Sequence, residues 1–312
     1  MSVESFHILV KSNQFERNFI MNLQRISDLP PLPQRPVDSH KGTFGKVLVI
    51  AGSAGMSGAA SLSGMGALRG GAGLVFLAIP QEIQSIVAAV NPCYLTLPLH
   101  VEPSGQLTGP SAKMLLGQID DFAAIAIGPG LGKAPWVQML IWKLYAELKQ
   151  PLIIDADALN VIAASDQHLP AAAGPRLFTP HPGEFAPLTG KSISEISEDR
   201  ETHACEYAQQ QQVVLLLKGA DTVITDGSRI AVNTTGNSGM STGGTGDVLT
   251  GLLTALCGQG MPAFAAAQLA AHLHGLAGDL AAEDLSQPAL IASDLIDYLP
   301  DAWLQLQNET DN

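Results

Sequence analysis

The feature of this sequence best suited to chemistry is a glycine-rich segment that opens an apolar helical run. Residues 243–247 read Gly-Gly-Thr-Gly-Asp and lead directly into Val-Leu-Thr-Gly-Leu-Leu. Glycines let backbone N–H groups turn inward at the start of a helix, where unpaired donors and the helix dipole attract an anion. A carboxylate beside phosphate is repelled by it, so we interpret Asp247 as a base that takes the proton from an attacking hydroxyl. The segment therefore predicts a site of phosphoryl transfer.

An ordinary glycine loop with an acidic residue in the first helical turn is the alternative, because short glycine motifs match by chance. Two common nucleotide-binding motifs are missing from the sequence. No Gly-x-x-x-x-Gly-Lys-Ser/Thr occurs, and no Gly-x-Gly-x-x-Gly follows the first predicted strand. Both of the nucleotide folds that carry these motifs are therefore disfavoured.

The elements that must position this segment alternate along the chain from residue 46 onward. Short apolar runs alternate with helical stretches of small residues, which predicts a mostly parallel sheet covered by helices. The predicted strands are residues 47–51, 74–79, 123–127, 152–154, 177–179 and 213–217. Four of them end in turns of Gly, Pro, Asp or Ser, at residues 51–53, 127–130, 154–157 and 179–182. Ligands bind at the carboxyl ends of strands in open α/β sheets, so these turns are expected to face one crevice.

Composition and charge restrict the class of protein. Hydrophobic residues make up 46% of the chain and charged residues 14%, which predicts a soluble globular protein. The formal net charge of −13, from 16 Lys+Arg and 29 Asp+Glu, argues against a nucleic-acid surface. A bound phosphate must therefore be held largely by backbone N–H groups and a few placed lysines. Three widely spaced cysteines predict a reducing, cytoplasmic location.

The chain is predicted to form one domain, residues 41–312, behind a Pro-rich N-terminal extension, residues 1–40. Four prolines between residues 30 and 36 exclude a regular helix or a central strand there, and Met21 is a plausible alternative start. Residues 248–278 contain no Asp, Glu, Lys or Arg, as a membrane span would. Gly and Pro residues at 258–262 interrupt this stretch, so we predict two buried helices and no membrane association.

Several other motifs accompany the glycine segment in a fixed order. They are Lys-Gly-Thr-Phe-Gly at 41–45, Ala-Gly-Ser at 51–53, Gly-Pro-Gly-Leu-Gly at 128–132, Asp-Ala-Asp-Ala-Leu-Asn at 155–160, Thr-Pro-His-Pro-Gly-Glu at 179–184 and Leu-Lys-Gly-Ala-Asp-Thr at 217–222. With them the chain resembles the ribokinase-like superfamily and, within it, the ADP/ATP-dependent NAD(P)H-hydrate dehydratases. The resemblance implies an α/β fold with a central, mostly parallel sheet covered by helices on both faces.

The resemblance also implies a reaction. The family, a group of carbon–oxygen lyases, repairs the S epimer of the 6-hydroxy hydrates NADHX and NADPHX by phosphorylating the 6-hydroxyl and eliminating phosphate. With ADP, the donor in bacterial members, the products are NAD(P)H, AMP and phosphate; eukaryotic members use ATP. Mg²⁺ is the implied metal and a homotetramer the implied assembly. A separate NAD(P)H-hydrate epimerase is the expected functional partner, because nothing in this chain is long enough to be the family's epimerase domain.

Residue roles implied by the resemblance fall into four groups. Asp247 is the catalytic base and contacts the hydrate. The nucleotide-binding residues are Lys218, Gly219, Ala220, Asp221, Thr222, Gly244, Thr245 and Gly246. The hydrate-binding residues are Ala59, Gly130 and His181, together with Asp247. Glu184 occupies the place of an acidic residue associated with magnesium and phosphate.

Plainer explanations stay open for several of these residues. Ala59 suits close helix–sheet packing as well as ligand contact, and His181 suits a turn histidine bonded to the backbone. Asp155 and Asp157 suit turn capping as well as a water-mediated magnesium site. His272 and His274 are two residues apart and point to different helix faces, so a metal site there is not expected.

Two other functions compete with the dehydratase. One is a ribokinase-like kinase of a vitamin precursor or sugar, which would release a phosphorylated product. The other is a non-catalytic nucleotide-binding regulator, against which Asp247 argues, because binding alone gains nothing from a carboxylate beside phosphates. The choice between ADP and ATP, and between NADH hydrate and NADPH hydrate, stays open.

Overall fold

The computed structural model describes residues 23–104 and 106–310. The strands within them are β1 Gln24–Arg25, β2 Lys46–Ile50, β3 Leu74–Pro80, β4 Leu95–Leu99, β5 Ala124–Ile127, β6 Leu152–Ile154, β7 Arg176–Phe178, β8 Val214–Leu217, β9 Thr222–Thr225 and β10 Arg229–Asn233. They form one sheet in the order β1-β10-β9-β8-β7-β6-β5-β2-β3-β4. Strand β9 is antiparallel to both of its neighbours, and every other pairing is parallel.

The helices of the described residues lie between and after these strands. They are α1 Ser57–Arg69, α2 Gln84–Val90, α3 Gly109–Leu116, α4 Pro135–Glu147, α5 Asp157–Ala163, α6 Pro182–Thr189, α7 Ile193–Glu198, α8 Arg200–Gln211, α9 Thr245–Gly258, α10 Ala263–Leu285 and α11 Ala292–Thr310. Short 3₁₀ helices occupy Lys41–Phe44, Gln81–Ile83, Ile119–Asp121, Ser238–Met240 and Gln287–Ala289.

Alternation along the buried strands divides the interior into two cores. In β2, Val47 and Val49 pack on the face that α1, α2, α9, α10 and α11 cover. Leu48 and Ile50 point to the opposite face, which α3 to α8 cover. The central strands are mainly apolar, as is usual when both faces of a sheet are buried, apart from Lys46 and Arg176 at the first positions of β2 and β7. The predicted fold class, a mostly parallel sheet with helices on both faces, is confirmed.

The six predicted strands correspond to β2, β3, β5, β6, β7 and β8, with ends that differ by at most one residue. Strands β1, β4, β9 and β10 were not predicted. The uncharged stretch 248–278 forms α9 and α10, two helices separated at Gly260, which has a φ of +90°. No helix in the described part of the chain is both long enough and apolar enough to cross a bilayer.

Residues 23–40 lie against the sheet and its helices. Strand β1 pairs in parallel with β10 at the sheet edge, and Ile26, Leu29 and Leu32 pack against the core. Arg35 stacks on the Phe44 ring, with 4.0 Å from its Cζ to the ring centroid. The N-terminal segment thus starts at the β1 edge of the sheet and reaches the 3₁₀ helix that precedes β2. The proposed start at Met21 lies outside the described residues.

Candidate active site

A cavity of about 860 Å³ opens beside the carboxyl ends of β6, β7 and β8. Its wall is built from the turns after these strands, the loop of residues 233–244 that follows β10, and the first turn of α9. Leu249, Ala271 and Gly275 add an apolar side. The strand-end turns predicted at residues 154–157 and 179–182 both reach this cavity, whereas those predicted at residues 51–53 and 127–130 do not line it.

The start of α9 exposes a row of unpaired backbone donors. No acceptor in the described part of the chain receives the N–H groups of residues 243–246, and no side chain caps this helix. Gly244 has a φ of +98°, and a Cβ atom there would lie 2.6 Å from Leu62 Cδ1, so only glycine fits. All four residues line the cavity. Free donors and the helix dipole together make this an anion site.

The loop of residues 233–244 is held against α10. Thr235 Oγ1 donates to the carbonyl oxygen of His272 at 3.0 Å. Asp279 accepts hydrogen bonds from the Gly236 N–H at 2.7 Å and from Asn237 Nδ2 at 2.9 Å. Sequence reasoning missed Asp279, because an acidic residue inside a long helix has no local signal of a loop partner 43 residues away.

The turn between β8 and β9, residues 218–222, forms the opposite wall. Gly219 and Asp221 have positive φ angles of 139° and 52°. Arg200 holds this turn from α8: its Nη2 donates to the carbonyl oxygens of Leu217 and Lys218, each at 3.0 Å, and its Nη1 donates to that of Ala220. The sequence offered no sign of Arg200, which is an ordinary first residue of an amphipathic helix.

Lys218 brings a cation into the cavity among carboxylates. Its Nζ lies 2.9 Å from Asp155 Oδ1 and 3.6 Å from Glu184 Oε2. A Cβ atom built on Gly246 would lie 3.3 Å from the same Nζ, so the ammonium group adjoins the start of α9. Burial disfavours the charged form, but Asp155, Glu184 and Asp247 outweigh it and raise the pKa of Lys218. Lys218 is therefore a cation placed for phosphate.

Asp247 lies in the first turn of α9, beside the free N–H groups. Burial raises its pKa to about 7, and the nearby carboxylates of Asp155, Asp157 and Glu184 act in the same direction, opposed by Lys218. A carboxyl group with a pKa near neutrality is suited to accept a proton from a hydroxyl and to release it again.

His181 and Glu184 cap α6 reciprocally. His181 Nδ1 accepts from the N–H groups of Gly183 at 3.0 Å and Glu184 at 3.3 Å, and Glu184 Oε2 accepts from the His181 N–H at 2.9 Å. Because Nδ1 is an acceptor, the neutral ring carries its proton on Nε2. The side chain is 55% exposed and lines the cavity. The alternative of a backbone-bonded turn histidine describes Nδ1, while Nε2 lies 3.4 Å from Glu184 Oε1 and makes no hydrogen bond with a described residue.

The contacts of the Glu184 carboxylate determine whether it can bind magnesium. Its Oε1 accepts no hydrogen bond from a described residue, although His181 Nε2 lies 3.4 Å away. The described residues contain no group of three or more His, Cys, Asp or Glu placed to hold a metal. Magnesium beside phosphates needs only one or two carboxylates, with phosphate oxygens and water completing its shell. Glu184 fits such a site.

Ala59 and Gly130 are the two predicted residues that do not line this cavity. They contact each other at the ends of β2 and β5: Gly130 has a φ of +61°, and a Cβ atom there would lie 2.9 Å from Ala59 Cβ. Ser53 Oγ donates to the Gly130 carbonyl oxygen at 2.7 Å. The structure therefore supports the packing explanation for Ala59, and ligand contact there stays a prediction.

His274 is a cavity residue whose role the sequence did not reveal. Its Nε2 lies 2.8 Å from the Thr245 carbonyl oxygen, and burial lowers its pKa to about 4. The ring is therefore neutral near pH 7, and its Nε2–H donates to this carbonyl in the first turn of α9. His274 helps to hold the anion site in place.

Comparison with known proteins agrees with this geometry. The profile of the NAD(P)H-hydrate dehydratase family matches residues 47–301. A bifunctional NAD(P)H-hydrate repair enzyme of Moorella thermoacetica is 44% identical over 282 residues, which are 90% of this chain and 53% of the relative. The ADP-dependent (S)-NAD(P)H-hydrate dehydratase of Bacillus subtilis is 37% identical over 88% of this chain and 95% of its own length. The chain spans about half the length of the bifunctional relatives it matches.

Solved structures give the same result. The ADP/ATP-dependent NAD(P)H-hydrate dehydratase of B. subtilis, co-crystallized with ATP and Mg²⁺, superposes with a TM-score of 0.77 at 35% identity, covering 88% of this chain and 94% of that one. A ribokinase-like superfamily protein of Enterococcus faecalis superposes with a TM-score of 0.77 at 26% identity, covering 90% and 95%. The chain belongs to the NAD(P)H-hydrate dehydratase family and has the ribokinase-like fold.

Proposed function

We propose that this protein is an ADP-dependent (S)-NAD(P)H-hydrate dehydratase that repairs hydrated NADH and NADPH. One observation carries the proposal: a carboxylate with a pKa near 7, Asp247, lies in one cavity with four free backbone N–H groups and the Lys218 ammonium. The N–H groups and Lys218 are placed for phosphates, and Asp247 for a hydroxyl. A site that only bound nucleotide would gain nothing from the carboxylate.

The reaction begins with proton removal. Asp247 accepts the proton of the 6-hydroxyl. At the same time the hydroxyl oxygen attacks the terminal phosphorus of ADP, and AMP leaves. The N–H groups of residues 243–246 and the Lys218 ammonium stabilise the charge on the transferring phosphoryl group. Magnesium, held by Glu184 when bound, would neutralise further phosphate charge.

Elimination then completes the repair. Hydroxide is a poor leaving group, whereas phosphate is a good one. The ring nitrogen expels phosphate from C6, and loss of a proton from C5 restores the dihydropyridine. The hydrate therefore loses the atoms of water, and the phosphate appears free in solution. His181, whose Nε2–H makes no hydrogen bond with a described residue, is proposed as a donor for the hydrate.

Further parts of the proposal concern the phosphoryl donor, the assembly and the partner enzyme. The B. subtilis relative is an ADP-dependent dehydratase, which supports ADP as the phosphoryl donor. Its co-crystals with ATP and Mg²⁺ support a nucleotide–magnesium site. We propose residues 41–312 as a single dehydratase domain in a cytoplasmic homotetramer. The S epimer alone is the substrate, so use of the R form depends on a separate NAD(P)H-hydrate epimerase or on spontaneous epimerisation. Contacts of Ala59 and Gly130 with the hydrate belong to the same proposal.

The test is an absorbance assay with NADH hydrate, NADPH hydrate, ADP or ATP, and magnesium. A dehydratase restores the absorbance of the reduced nicotinamide and releases one phosphate per turnover. A kinase of a vitamin precursor or sugar would leave the phosphorus on an organic product, and a regulator would turn nothing over. Failure with both ADP and ATP refutes the proposal, and an Asp247→Asn variant is the matched control for background dehydration.

A further inference from the structure

The Asp155 carboxylate is buried at the centre of the site's framework, at 1% exposure. Both of its oxygens accept hydrogen bonds. Oδ1 accepts from Thr179 Oγ1 at 2.8 Å and from Lys218 Nζ at 2.9 Å, and Oδ2 accepts from Thr250 Oγ1 at 2.7 Å. A buried carboxylate costs several kcal/mol unless it is paired in this way.

Asp155 and its three partners come from four different elements. Asp155 follows β6, Thr179 follows β7, Lys218 follows β8, and Thr250 is in α9. One carboxylate therefore ties three adjacent parallel strands to the helix that begins with the anion site. Thr250 is three residues beyond Asp247, so both lie on the same side of α9. The bond from Thr250 to Asp155 fixes the rotation of the helix that presents Asp247.

This arrangement differs from both sequence-based explanations of Asp155. Turn capping would require a backbone N–H bonded to the carboxylate, and no described residue supplies one. A magnesium-bound water would compete with three donors already in place. Asp157, by contrast, does accept a backbone N–H, that of Gly132 at 2.8 Å. The two aspartates of the motif thus have different tasks.

We propose that Asp155 is a positioning residue for phosphoryl transfer, which holds the Lys218 ammonium and, through Thr250, the Asp247 turn of α9 in their productive arrangement. The inference rests on the proposed function, because the aligned groups are those that act on phosphate and hydroxyl. Asp155 adjoins the cavity but is only 1% exposed, and these three donors engage its two oxygens. Its effect on the reaction passes through Lys218 and Asp247.

Helix α9 offers a matched pair of variants. Thr250 and Thr254 are both fully buried and one turn apart, but Thr254 Oγ1 donates to the Thr250 carbonyl oxygen inside the helix. Thr250→Val should lower kcat about ten- to a hundredfold, because small misplacements of reacting groups have effects of that size. Thr254→Val should leave kcat within about twofold, and Thr250→Ser should restore most of it. Equal kcat values for Thr250→Val and Thr254→Val would overturn the proposal.

Asp155→Asn provides a second readout that does not depend on folding yield. The charged groups that face Asp247 are Asp155, Asp157, Glu184 and Lys218. Removing the Asp155 charge removes repulsion of the Asp247 carboxylate, so the acidic limb of the pH profile of kcat/KM should move to lower pH. An unmoved limb contradicts the positioning role.

Wild-type turnover of the hydrate is measured first, which separates the two hypotheses. No turnover refutes the proposed function. Turnover that Thr250→Val leaves unchanged refutes only the positioning role of Asp155. If Thr250→Val fails to fold, the comparison of Asp155→Asn with wild type decides the question.

Discussion

Arg176 and Lys218 are cations at opposite ends of two neighbouring parallel strands, and their surroundings differ. Arg176 begins β7 and is 1% exposed, with its N–H groups donated to five backbone carbonyls, those of Leu144, Tyr145, Leu148, Gln150 and Pro175. Lys218 follows β8 with a side chain that is 18% exposed. Its Nζ donates one hydrogen bond to a described residue, Asp155.

The difference separates a cation whose donors are all used within the fold from one that has donors left for a ligand. Burial lowers the pKa of Arg176 to about 10, yet the group stays charged near pH 7 because carbonyls at the carboxyl end of α4 surround it. Its donors are saturated. An ammonium group has three donors, so Lys218 keeps capacity for phosphate while nearby carboxylates hold its charge. Unused donors therefore distinguish the functional cation.

The largest expected effect is that of replacing Asp247, the carboxylate in the first turn of α9. Asp247→Asn keeps the size of the side chain but cannot accept a proton, so kcat should fall by at least roughly 10²–10⁴-fold, the usual contribution of general-base catalysis. ADP binding, measured as a thermal shift, should be kept, because the anion donors are backbone groups. Turnover within tenfold of wild type would contradict the base role of Asp247.

Exchanging each cation for methionine tests the comparison itself. Lys218→Met should lower kcat about 100-fold and weaken the thermal shift by ADP, since ligand stabilisation follows RT ln(1 + [L]/Kd). Arg176→Met should lower the free energy of unfolding by about 3–5 kcal/mol, because several buried carbonyls lose their partner. Folded Arg176→Met should keep its kcat and its ADP response.

Denaturant unfolding and steady-state kinetics on both variants check this pair. The comparison fails if the Arg176→Met and Lys218→Met variants lose kcat to the same extent when measured at the same folded fraction. It also fails if Lys218→Met unfolds as readily as Arg176→Met while retaining activity. Arg25→Met is the control, because Arg25 forms an exposed ion pair with Glu201 and neither residue lines the cavity, and such pairs contribute at most about 1 kcal/mol.

The smallest effect is a pH dependence that sharpens the assignment of Asp247. Its raised pKa of about 7 means that the active, deprotonated form is lost as the pH falls. The value of kcat/KM should therefore level off above about pH 7 and fall tenfold per unit below it, since this ratio reports the free enzyme. A profile that stays flat down to pH 5 would contradict the raised pKa.

Local signals in the sequence predicted much of the fold and of the site. The central strands are continuous apolar runs, and the turns that follow them carry Gly, Pro and Asp, so their ends were recognisable. The predicted family and fold class are confirmed. Nine predicted nucleotide and catalytic residues, Lys218 to Thr222 and Gly244 to Asp247, line one cavity together with His181 and Glu184. Their individual roles stay predictions.

What the sequence did not reveal depends on distant contacts. Thr250 and Asp155 are 95 residues apart, and Arg200 meets residues 217–220 only after β8 and α8 have packed. Strand β4 contains Pro98, which disfavours a strand except at a sheet edge, where β4 lies. The hairpin of β9 and β10 was missed although Asp226-Gly227 lies between its strands, a recognised hairpin signal.

The free donors at the start of α9 have an evolutionary consequence. Because they are main-chain groups, only an exchange to proline deletes them, and drift at Gly243, where an added Cβ meets nothing within 4 Å, leaves them intact. Gly244 is the exception, since its conformation and its contact with Leu62 tolerate no side chain. Anion binding by these N–H groups should therefore be robust to most side-chain exchanges, with Gly244 as the most vulnerable position among them.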